Sequence, residues 1–156
     1  MQRPILAFAQ DSVGDWFATL SCGHTQHTRH QPPFQSRPWV ATEEGRQSKL
    51  GELLECPYCE RWELPEHFVA FHQTPEFTEA TIPAALLKDH TTKPGIWAKI
   101  LVTEGTLRYH LDGSGQTFEL CVGTLGIVVP EAPHHVEPLG PVRFSVEFYQ
   151  APKVVR

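Results

Sequence analysis

The feature that most constrains this chain is the stretch over residues 126–149. An apolar run, Ile127-Val-Val129, is halted by Pro130 and followed by Pro133, His134 and His135; beyond them Val142, Phe144, Val146 and Phe148 alternate with Arg143, Ser145, Glu147 and Tyr149. Proline breaks a helix by removing a donor, and an alternation of period two places an apolar row and a polar row on opposite faces of a strand. The stretch therefore predicts strand, tight turn, strand, strand, with two imidazoles directly after the turn and Glu147 on the polar row.

The same period recurs upstream. Residues 96–103, the pair Glu104-Gly105, residues 106–111, the run Asp112-Gly-Ser-Gly115 and residues 116–122 read as short strands joined by glycine turns. His110 shares a strand face with Thr106 and Arg108, and the sequence leaves open which way that face points. Residues 81–90 offer at most one helical turn, and residues 64–77, broken by prolines, read as an extended lead-in or edge strand. Short strands without a long helix predict a mainly β fold, a sandwich or small barrel.

Residues 1–63 read as a separate small unit and residues 64–156 as the second. In the first, residues 5–9 and 16–20 form a predicted hairpin, residues 31–39 are too proline-rich for helix, and Thr42 is placed to cap a short helix that Gly45 weakens. Cys22-x-His24 and Cys56-Pro-Tyr-Cys59 are two chelating pairs about thirty residues apart, a spacing that assembles tetrahedral zinc sites. Four filled positions leave none for substrate, so the expected role is structural: a unit of about sixty residues buries little surface, and a metal supplies the deficit. The competing reading makes the cysteines small hydrophobes or a redox pair. His27 and His30 are either spare ligands or surface residues.

Composition narrows the function classes. The 156 residues carry 13 basic and 18 acidic side chains, a net charge of -5, and both units are mildly negative, which argues against a nucleic-acid partner. No apolar run approaches the ~20 residues of a membrane span. A cytoplasmic location is expected, in which four cysteines would stay reduced. Cys121 reads as a buried small hydrophobe.

Two resemblances extend this reading. Gly14-Asp-Trp16, the run from Ser21 to His30, Pro32-Pro-Phe-Gln-Ser-Arg-Pro-Trp-Val40 and Cys56-Pro-Tyr-Cys59 resemble a small bacterial Cys/His zinc-knuckle domain family of unknown function, which fits a zinc-ribbon-like unit and adds no activity to carry over. Pro130, Ala132 and His135 resemble the Pro-x-Gly-x-x-His turn of cupin barrels, with alanine at the glycine position. Together with Thr74-Pro-Glu-Phe77, Thr81-Ile-Pro, His90-x-Thr-Lys-x-Gly-Ile-Trp97, Glu104-Gly105 and Phe144-Ser-Val-Glu-Phe-Tyr149, they mark the second unit as similar to the TehB/YeaR-like domain.

That resemblance implies a cupin-like β-barrel, a double-stranded β-helix, and an association with tellurite or oxidant stress. Thr92 stands where the cupin His-x-His pair has its second histidine, so the implied barrel set is His90, His135 and Glu147, with Glu137 or His134 as substitutes for the carboxylate. Such a set suits a divalent zinc, iron, manganese or nickel ion with open positions. Trp97 and Tyr149 are candidates for the mouth, which would take a small anion or small molecule. The expected function is a metal-binding stress protein. A cupin-type oxygenase or isomerase and a zinc-ribbon regulator that docks a partner are the alternatives, and an exposed barrel edge allows a homodimer.

Overall fold

The computed structural model describes residues 1–153 and divides into two compact units, Met1–Pro65 and the chain from Glu66 onward. In the first, β1 (Gln2–Gln10), β2 (Trp16–Leu20), β3 (Thr25–His27) and β4 (Leu53–Glu55) make a four-stranded antiparallel sheet in the order β3-β2-β1-β4. The β1–β2 turn is organised by Asp11, whose Oδ1 accepts the backbone N–H groups of Val13 and Asp15 at 3.0 and 2.9 Å. Thr42 caps helix α1 (Glu43–Ser48) by accepting from the Gly45 N–H at 3.0 Å. A second short helix, α2 (Pro57–Glu60), follows β4 and opens with proline at its first position, where the missing N–H costs nothing.

The second unit is one six-stranded antiparallel sheet. Two long strands, β7 (Trp97–Leu111) and β10 (His134–Gln150), pair along most of their length; β8 (Gln116–Leu120) and β9 (Gly126–Val128) flank β7, and β5 (Val69–Gln73) and β6 (Phe77–Thr78) flank β10. Its core is Ala98, Ile100, Val102, Leu107, Tyr109, Leu120, Val128, Val136, Val142, Phe144 and Val146. A single 3-10 turn, Ala84–Leu87, is the only helical piece described in this unit.

Glu104-Gly105 is not a hairpin turn, as the sequence suggested, but lies inside one continuous strand, beside a bulge at Thr103. The β7–β10 register slips between Arg143 and Phe144, where Thr103 on β7 has no partner, and between Pro138 and Val142 on β10. Gly105 has φ +74°, and a β-carbon there would lie 2.0 Å from the Pro141 carbonyl oxygen, so the two irregular segments meet backbone to backbone. The bulges also set side-chain parity. Even positions of β7 face the core up to Val102 and odd ones from Leu107, so His110 lies on the outer face; on β10 two extra residues leave the even positions facing inward throughout.

Candidate functional site

The turn between β2 and β3 carries Cys22 and His24 on either side of Gly23, whose φ of +96° makes the tight knuckle possible. Cys56 is the N-cap of α2 and Cys59 lies within it. The four side chains meet: their ligand atoms all lie within 4.8 Å of one another, with the three cysteines fully buried and His24 9% exposed. His24 Nδ1 is 3.4 Å from the Cys22 sulfur, 3.4 Å from Cys56 and 3.8 Å from Cys59, and the Cys22 and Cys56 sulfurs are 3.8 Å apart.

These four spacings fit edges of a tetrahedron. An ion at about 2.3 Å from sulfur and about 2.0 Å from nitrogen would set S···S near about 3.8 Å and N···S near about 3.5 Å. The far side of the imidazole is held as well, since His24 Nε2 lies 2.6 Å from the Glu63 carbonyl; donating there fixes the tautomer that leaves Nδ1 a lone pair. Tyr58 stacks on the same imidazole at 5.1 Å. Without a cation the three thiols cannot all ionise. The hydrogen bond from Cys22 pulls Cys59 down to about 4, helped by His24 and the Arg3 guanidinium, while Cys22, keeping its proton in that bond, is pushed far above the usual thiol range. Burial raises Cys56.

The remaining histidines of this unit stay apart from the cluster. His27 Nε2 lies 3.2 Å from Asp11, and His30 Nδ1 accepts the Arg37 N–H at 2.9 Å. Arg3 is the residue the sequence reading missed; it is 3% exposed and takes the same parity as buried Ile5 on β1, which was the available signal.

In the second unit the structure does not bring His90, His135 and Glu147 together. The parity of β10 turns His135 and Glu147 outward and His134 inward. His135 Nδ1 lies 2.7 Å from Asp112 and its ring stacks on His110 at 4.2 Å, while Glu147 accepts from the Tyr149 hydroxyl. Among the described residues, the Cys22, His24, Cys56, Cys59 group is the metal-ligating cluster of three or more side chains. Trp97 and Tyr149 stay off the cavity lining: Trp97 is fully buried, and Tyr149 lies under Lys99 on the outer face. Cys121 is exposed, not buried.

What the inner face holds instead is an apolar cavity of about 290 Å³ with His90 and His134 on its wall. The two residues form a β-bridge, His90 N to His134 O at 2.8 Å and His134 N to His90 O at 2.9 Å, and their rings meet edge to face at 5.4 Å. No described helix is long and apolar enough to cross a membrane.

The comparisons with known proteins divide along the same line. Residues 6–63 match the family described as protein of unknown function (DUF3565), and residues 72–146 match the TehB-like domain. Over 103 residues, 60% of this chain and 87% of the relative, the chain is 24% identical to the uncharacterized protein YeaR of Escherichia coli strain K12. A crystal structure of an E. coli K12 protein shares the fold with a TM-score of 0.54 at 23% identity, covering 57% of this chain and 96% of that one. The crystal structure of TehB from Haemophilus influenzae matches with a TM-score of 0.51 at 26% identity over 55% of this chain and 32% of that one. Residues 72–146 of this chain therefore resemble the TehB-like domain, and they follow an N-terminal unit that matches DUF3565 and carries a Cys/His cluster able to hold a metal ion.

Proposed function

We propose that the chain is a metal-binding stress protein: a structural zinc held by Cys22, His24, Cys56 and Cys59 fastens a zinc-ribbon-like N-terminal unit, and the TehB-like domain, a cupin-like barrel, is a small-molecule binding module serving tellurite or oxidant resistance. The observation that carries the zinc reading is the set of sulfur and nitrogen separations, 3.4 to 3.8 Å, which matches the edges of a zinc tetrahedron. Three soft thiolates and one imidazole favour zinc over hard cations, and four protein ligands close the coordination sphere. The role is therefore stability, not turnover. An oxygenase or isomerase mechanism has no support in the ligand geometry of the barrel, because two of its three expected ligands lie on the outer face.

Elemental analysis of tag-free protein tests this. About one zinc per chain is expected in the wild type and in His135→Ala, with loss of nearly all of it in Cys56→Ser. A metal-free wild type, or a second equivalent that disappears in His135→Ala, would overturn the reading.

A further inference from the structure

We infer that the TehB-like domain binds, in the cavity on the inner face of its sheet, a small neutral molecule with an apolar body and a single hydrogen-bond donor, and that His134 is the acceptor. This deepens the proposed function and rests on the reading of this unit as a binding module. It is independent of the zinc site.

The wall is apolar almost throughout, with Phe77, Leu86, Ile100, Val128, Phe144 and Val146 among its residues and no Asp, Glu, Lys or Arg. Four polar side chains reach it: Thr74, Thr92, His90 and His134. Two of these are committed. The Thr74 hydroxyl donates to the Pro75 carbonyl at 2.9 Å and accepts the Val146 N–H at 3.0 Å, and Thr92 donates to the Ile96 carbonyl at 2.7 Å.

His134 is different. Its ring is 5% exposed, and Nδ1 lies 3.0 Å from the Ala132 carbonyl, to which it donates. That fixes the proton on Nδ1 and leaves the Nε2 lone pair as an acceptor. Burial holds this imidazole below its usual range, so it stays neutral and keeps the lone pair. An acceptor on an otherwise apolar cavity wall is satisfied by a donor that enters the cavity. His90, half-buried, lines both this cavity and the open cleft beside it formed with Phe71, Thr91, Lys93 and Ile96, and so stands between the cavity and solvent.

The lining also decides against an ion. An anion would leave water for a wall with no cation, and an unpaired buried charge costs far more than one hydrogen bond returns. Size follows from volume: an apolar cavity of roughly 150 Å³ holds benzene, so about 290 Å³ admits a molecule of roughly two fused rings. A phenol or alcohol of that size fits both requirements.

The test titrates the full-length, zinc-loaded chain with three probes of one shape: β-naphthol, which carries the donor, naphthalene, which lacks it, and naphthoate, which is charged. Calorimetry or the fluorescence of naphthol reads the affinity. Naphthol is expected to bind in the micromolar range and about tenfold more tightly than naphthalene, with no binding of naphthoate. In His134→Phe the naphthol advantage should vanish. Because a buried substitution can disturb folding, Ala85→Trp supplies the second arm: Ala85 is solvent-exposed at the cavity wall, and a large ring there should abolish binding while the circular dichroism spectrum is retained. Equal affinities for naphthol and naphthalene, or tightest binding of naphthoate, would overturn the ligand class and leave a binding module standing. No binding of any probe by folded protein would overturn the ligand class and the module together.

Discussion

A guanidinium that is 3% exposed has to be neutralised where it sits, and Arg3 lies against the thiols of the metal cluster, where it lowers the Cys59 thiol by charge and by hydrogen bonding. Three thiolates around one divalent zinc would leave a net single negative charge, which one buried arginine would balance. Arg3→Gln keeps a donor and removes the charge. It is expected to weaken zinc binding about 10- to 100-fold, the usual cost of losing a partner beyond the ligands, in a competition titration against a chromophoric chelator. An unchanged affinity would reduce Arg3 to packing. The cluster itself was legible because each chelating pair is local: two or three residues of separation define a knuckle whatever the rest of the chain does. The histidine at the cavity was not legible in the same way. Choosing between His134 and His135 requires the strand's parity, and the cupin-like spacing pointed to His135 because it counts residues from Pro130 without knowing that β10 begins at His134.

At the scale of elements, the lesson is in the bulges. A glycine preceded by a polar residue between two alternating runs reads as a hairpin turn, and Glu104-Gly105 has that signature; only the pairing of β7 with β10 on both sides of it shows a bent continuous strand. The alternation on either side was readable, but the change of parity at Thr103 depends on a long-range register. The bulge on β10 also frees backbone groups, and the Val142 N–H is taken up by the Glu79 carboxylate at 3.0 Å. That bond, with one to its own backbone, holds the Glu79 carboxyl below the usual range. A carboxyl lowered on folding contributes stability that is present above its unfolded pKa and lost as pH falls through the folded value. Hydrogen exchange at the Val142 amide should therefore be about tenfold faster in Glu79→Ala than in the wild type near neutral pH, with the difference closing in acid below the ordinary carboxylate range. A difference that persists once the carboxyl is protonated would show that the charge is irrelevant to the bulge.

At the scale of the whole molecule, each of the two units is stabilised by different physics. The buried apolar residues of the first, cysteines aside, are Ile5, Ala18, Leu20 and Val40, whereas the second carries an eleven-residue core running through β7, β8, β9 and β10. A unit of that size with so thin a core lies near the limit of what apolar burial stabilises, and a structural zinc worth roughly 10 kcal/mol or more in apparent binding free energy would account for most of its fold. Removing the ion should thus act on one unit alone. With a strong chelator added to the intact chain, amide exchange is expected to collapse toward the unfolded rate across β1, β2, β3 and β4. The amides of β7 and β10 should keep their protection, and readdition of zinc should restore the first set. Equal loss in both sheets would mean that the second unit depends on the first for its stability. Retained protection in β1 to β4 would mean that Ile5, Leu20 and their neighbours suffice, and that the tetrahedron of Cys22, His24, Cys56 and Cys59 serves something other than the fold.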